Sequence, residues 1–467
     1  MKRPNIVLFM PDSFSQTALD NAVTNNVQFP NIERLYRDGT RFTNCIVQHP
    51  VCTPSRCSLF TGTYPHTNSH RSLAHLLQPN EPQLLEYLVS GGYRVNIIGK
   101  NDLLSQELIQ KYVQDPEENR FKPSAFPTPK YPEDHEKYYS FQYNTSNHGV
   151  YERDQYFVDR AKTWIHNHQE SPYFLFVPIN LPHPGYFSNE RTESMVSPHQ
   201  IAHLKPIIRD NKPLFHQGIR DTRNLELLDM NELKYIQATY YKMCLQVDDY
   251  LGQLREVLDD DTIFIFTSDH GDYQGHYGLV EKWPSSAEDD IIKVPLVMSG
   301  GGIPLNQVVT SPVELLDVMA TILDYSDCEA NHPHFSKTLR PLLHNPRVFH
   351  KEYVFTEGGY DTNEPYIFEG SPNANPRSIY YPKGLLQQTN PDSVSRFVSI
   401  RSKNYKYVKR SQDLDELYDL QKDPDELMNV IEDENYKPIL TTLKEALLTW
   451  YLRTSDVSPI KKDPRHF

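Results

Sequence analysis

Five short apolar runs punctuate the first 300 residues, and four of them end on polar or charged side chains. Asn5 to Met10 leads to Asp12, Tyr93 to Ile98 leads to Lys100, Tyr173 to Ile179 leads to His183, and Thr262 to Phe266 leads to Asp269-His270; the fifth, Val294 to Met298, precedes glycines. Apolar runs this short are the pattern of strands buried on both faces. Between them runs a helical periodicity, clearest from Asn231 to Leu258, where Leu233, Ile236, Tyr240, Met243, Val247, Leu251, Leu254 and Leu258 recur at three- and four-residue spacing. Strands alternating with helices predict an α/β fold, a large mostly parallel sheet sandwiched by helices. Ligands of such sheets sit outside the carboxyl ends of the strands, so the four polar ends are expected to meet in one site.

The character changes after about residue 345. Arg396 to Val408 alternates around Lys403-Asn404 like an antiparallel hairpin, and Tyr436 to Tyr451 reads as a closing helix with Pro438 near its start. The expected division is an α/β domain over 1–345 and a smaller C-terminal α+β subdomain over 346–467, with a small antiparallel sheet and the closing helix. Gly359 to Asp392, rich in Pro, Asn and Ser, reads as a long ordered insertion or loop. The sequence contains no internal repeat or low-complexity tract.

Composition narrows the classes. The 467 residues are 38% hydrophobic and 23% charged, with 36 prolines against 19 glycines, the balance of a globular chain with ordered loops. A formal charge of -14 argues against nucleic-acid binding, which needs a basic footprint. An anionic ligand must therefore meet a local positive pocket. The apolar-rich stretch after Met1-Lys2-Arg3-Pro4 stops at Asp12, too early for a signal peptide, and no later run approaches the ~20 apolar residues of a membrane span. Five sparse cysteines make a disulfide framework unlikely, so a cytoplasmic location is the expectation and Asn144-Thr145-Ser146 carries little weight as a glycosylation site.

One of those cysteines heads a distinctive segment. Cys52-Thr53-Pro54-Ser55-Arg56-Cys57-Ser58-Leu59-Phe60-Thr61-Gly62 reads as a loop entering a short helix, with Pro54 in its first turn and Gly62 as its stop. Cys52 then stands at a helix N-terminus, which favours anions, with the Arg56 guanidinium one turn away. On helix geometry alone, a capped, buried cysteine is the simpler reading.

The segment matches Cys-x-Pro-Ser-Arg followed by Leu, an aromatic or Thr, and Gly. Further matches run from Pro4-Asn5-Ile6-Val7 with Asp12, through Gly99-Lys100, Pro182-His183-Pro184, Thr267-Ser268-Asp269-His270-Gly271-Asp272 and Val294-Pro295-Leu296, to Tyr405-Lys406-Tyr407 and Glu416-Leu417-Tyr418-Asp419-Leu420. In these residues the chain resembles the formylglycine-dependent (type I) sulfatases of the alkaline phosphatase superfamily. The resemblance implies that Cys52 is oxidised to formylglycine by a formylglycine-generating or radical maturation enzyme. It implies that Asp12, Asp269, His270 and the modified Cys52 hold one divalent cation, Ca²⁺ with Mn²⁺ as the alternative. Arg56, Lys100 and Lys282 would steady the nucleophile and the sulfate, and His183 and Lys282 would serve the leaving oxygen.

The chain departs from the family pattern twice. Asp12 is followed by Ser13 where many members carry a second carboxylate, and Asp102 stands where the family often has a histidine, so that either another histidine such as His148 takes that role or the step is handled differently. The implied activity is hydrolysis of a carbohydrate or small-metabolite sulfate, with no nucleic acid or membrane as partner and the oligomeric state open. Because Asp269 is followed by His270, the resemblance extends to phosphonate monoester and phosphodiester hydrolases of the same superfamily. A non-catalytic protein that binds a sulfated glycan is the competing class. Substrate choice is expected in loops such as Ser105 to Arg153 and Arg191 to Asn224.

Overall fold

All five apolar runs are strands, and they lie side by side. In the computed structural model, which describes residues 3–114, 116, 121–168, 172–361, 363–364 and 375–457, the large sheet comprises β1 (Ile6–Asp12), β2 (Gly39–Ile46), β3 (Arg94–Ile97), β4 (Tyr173–Pro182), β5 (Ile263–Thr267), β6 (Lys293–Ser299), β7 (Gln307–Val309) and β8 (Val313–Glu314). Their order is β3-β4-β1-β5-β6-β2-β7, with β8 also on β2. β6 pairs antiparallel with both β5 and β2, and every other pairing is parallel. The sheet is therefore mixed, mostly parallel and flanked by helices.

β2 has no counterpart among the predicted strands. Gly39-Thr40-Arg41-Phe42-Thr43-Asn44-Cys45-Ile46 looks polar, yet Phe42, Cys45 and Ile46 are buried and the polar residues find partners. Thr40 donates to the Pro304 carbonyl and Asn44 accepts from Arg401. Hydrogen bonds that remove the cost of burial let such a sequence occupy the sheet interior.

The predicted long helix spans Met230–Arg255, and Asp229 begins it with a reciprocal capping box with Glu232. Its apolar stripe is buried, and two of its polar residues organise the neighbourhood of β1. The Tyr240 hydroxyl donates to the Ser13 carbonyl and accepts from the Ser15 amide. Asp248 accepts from the Asn31 and Ile32 amides, capping helix Pro30–Arg37.

A second, antiparallel sheet of order β12-β11-β10-β9 contains β9 (Val354–Gly358), β10 (Phe397–Arg401), β11 (Tyr405–Arg410) and β12 (Glu416–Asp419). β10 and β11 are the predicted hairpin, and the closing helix runs Lys437–Thr454. Trp450 of that helix stacks on Phe355 with ring centroids 4.5 Å apart and meets the Tyr64 ring edge-on. Arg401 and Lys406 reach Asp289 beside the large sheet at 2.7 and 3.1 Å. The stretch read as an insertion contains helix Tyr381–Thr389; its residues 362 and 365–374 lie outside those described. No helix of the described residues is long and apolar enough to cross a membrane.

Candidate active site

Because β3, β4, β1 and β5 are consecutive in the sheet, their carboxyl ends deliver Lys100, His183, Asp12 and Asp269-His270 to one place. The close spacing depends on Gly99. A Cβ there would stand 1.8 Å from the Pro178 carbonyl oxygen of the adjacent strand, so the chain turns against β4 only with glycine.

Cys52 is contributed by helix Cys52–Thr61, which begins and ends as its sequence predicts. Val51 is the extended N-cap residue, and Gly62 ends the helix in the left-handed conformation at φ 66°. All ten residues of the helix are buried, including Arg56. The Cys52 thiol lies 3.2 Å from His270 Nε2 and 3.7 Å from Asp12 Oδ1. The ligand atoms of Asp12, Cys52, Asp269 and His270 all fall within 4.8 Å of one another.

Two cations order the carboxylates. Arg56 Nη2 stands 3.0 Å from Asp12 and 2.8 Å from Asp269, and its Nε donates to Asp269 at 2.9 Å. Lys100 contacts the same Asp12 oxygen as Arg56 and also pairs with Asp102 at 2.8 Å. Burial alone would raise the Asp12 carboxyl, yet Lys100, His183, His270 and Arg56 hold it well below the usual range. Burial and Asp12 push the Cys52 thiol well up, despite the attraction of Lys282 and Lys100. Unmodified Cys52 is therefore a protonated thiol, a poor nucleophile.

The two histidines are neutral for related reasons. Burial lowers His270 although Asp269 opposes it, and its Nδ1 donates to the Gly271 carbonyl. Nε2 is left with a lone pair turned toward Cys52 and the carboxylates. This donor set, two carboxylate oxygens and one neutral imidazole, fits a divalent cation. His183 is lowered by burial and by Lys282; its Nδ1 faces the Pro184 carbonyl at 2.7 Å and its Nε2 lies 2.8 Å from Lys282 Nζ.

The structure thus brings Asp12, Cys52, Arg56, Lys100, His183, Asp269, His270 and Lys282 together. It does not bring His148, whose half-exposed ring faces Ser124 and Glu152. Ser13 adopts φ 71°, donates its hydroxyl to Asp12 and its amide to Asp269, and so braces both carboxylates without adding charge.

Several supporting residues were not singled out from sequence. Ser55 donates to the Asp269 carbonyl. Behind Lys282, Tyr186 donates to Asp272 at 2.6 Å and accepts from the Glu281 amide, while Arg223 pairs with Glu281 at 3.1 Å. Asp272 belonged to a recognised segment; Tyr186 and Arg223 carried no local signal, since their role depends on remote partners.

A cavity of 540 Å³ opens beside the cluster, lined by Lys100, His183, Arg153, Phe126, Tyr143 and Tyr380 among others. A larger one of 880 Å³ lies at the opposite end of the sheet, by Thr262 at the start of β5 and Ser299 at the end of reversed β6, and holds no residue of the cluster.

A mixed, mostly parallel sheet flanked by helices, with a small antiparallel C-terminal sheet, is the alkaline phosphatase-like fold. Within that class the chain belongs to the sulfatase family, whose profile matches residues 4–328; residues 365–452 match the C-terminal region described as that of N-sulphoglucosamine sulphohydrolase. It is a sulfuric ester hydrolase. Arylsulfatase K of Canis lupus familiaris is 27% identical over 460 residues, covering 91% of this chain and 79% of the relative; the Homo sapiens protein is 26% identical, covering 92% and 79%. In fold, the phosphonate monoester hydrolase of Agrobacterium radiobacter superposes with TM-score 0.74 at 21% identity, covering 97% of this chain and 96% of that one. BT4656, solved in complex with its substrate D-glucosamine-2-N,6-O-disulfate, superposes with TM-score 0.70 at 19% identity, covering 99% and 100%.

Proposed function

We propose that the protein hydrolyses a carbohydrate or small-metabolite sulfate monoester through a formylglycine made from Cys52, with a divalent cation held by Asp12, Asp269, His270 and residue 52. The observation that carries this reading is the position of Cys52 at the head of a buried helix, facing two carboxylates and a bare imidazole nitrogen. Two hard carboxylates favour Ca²⁺, and the imidazole keeps Mn²⁺ as the alternative. The relative crystallised with a sulfated glucosamine supports a sugar sulfate as substrate. The five cysteines are unpaired, as suits a reducing cytoplasm.

When present, the cation supplies Lewis-acid stabilisation of sulfate oxygens, and the hydrated aldehyde supplies two hydroxyls on one carbon, one to attack sulfur and one to expel sulfate. The remaining work falls to the chain's own side chains. Arg56 bridges Asp12 and Asp269 and fixes the spacing of the ligand set. Lys100 and Lys282 place positive charge beside the position of the sulfate, an electrostatic arrangement made before substrate arrives. Neutral His183 accepts from Lys282, so a proton is held at Lys282 Nζ for the departing alcohol.

The test is co-expression with a maturation enzyme, peptide mass spectrometry of residue 52, and turnover of an aryl sulfate. Native cysteine at residue 52 with no turnover after maturation would favour a sulfated-glycan binding protein. His270 favours one further reading, a phosphonate monoester or phosphodiester hydrolase. A kcat/KM higher for aryl phosphonate than for aryl sulfate would select it.

A further inference from the structure

The cavity beside the cluster continues past it. A second space of 290 Å³, lined by Gly99, Gln106, Ile109 and Phe121, shares Lys100, Arg153 and Asn180 with the first. Together they form a trench with Lys100 and His183 along one part and Arg153 at the junction. The two spaces together offer more room than a single sulfate needs.

Arg153 acts on Asp154 electrostatically but makes no direct ion pair among the described residues. Its Nε is buried without a hydrogen-bond partner among the described residues. Among the described residues, the carboxylates near it are hydrogen-bonded to other groups. Glu152 accepts from the Ser124 amide and hydroxyl, Asp154 accepts from the Asn180 and Leu181 amides, and Asp102 pairs with Lys100. Burial raises the Asp154 carboxyl, and Arg153 is among the groups that oppose the rise. A guanidinium beside low-dielectric walls, with its Nε unpaired among the described residues, is a receptor for a carboxylate or sulfate. Arg153 also lies in the first turns of helix Val150–Asn167, whose partial positive charge adds to the same field.

We propose that Arg153 is a specificity-determining residue that pairs with a second anionic group, a carboxylate or sulfate, on the substrate whose scissile sulfate lies at Cys52. The inference rests on the sulfatase reading of the site and deepens it by naming the substrate class, a polyanionic saccharide. Phe126 and Tyr380, 73% and 40% exposed on the cavity rim, supply apolar faces for the intervening ring.

The test compares the matured full chain with Arg153→Gln and Arg153→Lys on three substrates: a monosulfated neutral hexose, a monosulfated hexuronate and a disulfated hexose. For Arg153→Gln, the ratio of kcat/KM on the preferred dianion to that on the neutral-sugar sulfate falls ten- to a hundredfold, mostly through KM. Arg153→Lys restores part of that ratio. Whichever dianion loses more identifies the second group. An unchanged ratio overturns the proposal. Independently of turnover, the Kd of the same three compounds is measured by calorimetry on Cys52→Ala with and without Arg153→Gln. Loss of the dianion preference there supports the assignment even if no sulfate is hydrolysed, an outcome that would instead refute the sulfatase reading; equal affinities in both backgrounds refute the assignment alone.

Discussion

The Lys282 ammonium lies 2.8 Å from Nε2 of His183, and the other ring nitrogen of His183 faces the carbonyl of Pro184. The tautomer follows: Nδ1 carries the hydrogen and Nε2 accepts from the lysine. A buried imidazole that cannot readily take a second proton makes Lys282 the nearest proton source for a leaving alkoxide. Lys282→Ala and His183→Ala are therefore expected to lower kcat on an alkyl sulfate by about 10²–10⁴. Loss on 4-nitrophenyl sulfate, whose leaving group needs no proton, should be far smaller. Equal losses on the two substrates would remove leaving-group protonation from the account.

Cys52→Ser tests the need for two oxygens on one carbon. A serine alkoxide can attack sulfur but has no second hydroxyl to expel the sulfate. Intact-mass measurement after exposure to an aryl sulfate should show a gain of one sulfuryl group, stable over hours. Steady turnover by this variant would contradict the proposed chemistry.

Metal content reads the ligand set directly. Matured wild-type protein should carry one tightly held divalent cation per chain, measured by elemental analysis, and a chelator should lower both activity and Tm. His270→Ala is expected to bind it at least tenfold more weakly, in line with loss of one ligand or its support. Undiminished metal in His270→Ala would exclude His270 from the set.

A pH effect on stability is expected from Asp248, away from the active site. Burial raises its carboxyl to about 6, against the opposing donors Ile32 and Asn31. Between about pH 4 and 6 the folded chain then binds a proton that the unfolded chain has lost, so stability falls as pH rises through that window and levels off above it. The loss is about 3 kcal/mol. Thermal melts of wild type and Asp248→Asn should diverge across pH 4 to 6, the variant lacking this slope; parallel curves would refute the assignment.

The stop of the Cys52 helix is equally specific. Gly62 has φ 66°, and a Cβ there would meet Met319 Cε at 2.6 Å and Ser336 Oγ at 2.8 Å. Gly62→Val should cost about 1–3 kcal/mol through backbone strain and crowding. Denaturant unfolding of the variant checks this, and an unchanged midpoint would show that the helix ends independently of Gly62.

Much of this architecture is legible without coordinates, because it is written in local patterns. Buried strands declare themselves as apolar runs, the Met230–Arg255 helix as a three-to-four residue rhythm, and the Cys52 helix by Pro54 and Gly62 at its ends. Steric and hydrogen-bonding preferences of neighbouring residues are sufficient for each. The resemblance carried by the Cys52 segment then named residues that the fold brings together. β2 was hidden because its polar side chains are satisfied by residues hundreds of positions away, Arg401 lying 357 residues from Asn44.

What the chain's sequence determined by itself is the strands and helices that carry the site, and the chemistry at their ends. Which ends become neighbours is a tertiary decision. Strand order β3-β4-β1-β5 gathers Lys100, His183, Asp12 and Asp269, Arg56 closes on carboxylates 44 and 213 residues away, and Lys282 finds His183 across 99 residues. No periodicity encodes such pairings, since they arise from long-range packing and from the requirement that buried charges find partners. The Arg153 Nε, without a hydrogen-bond partner among the described residues, is visible only after that accounting is complete.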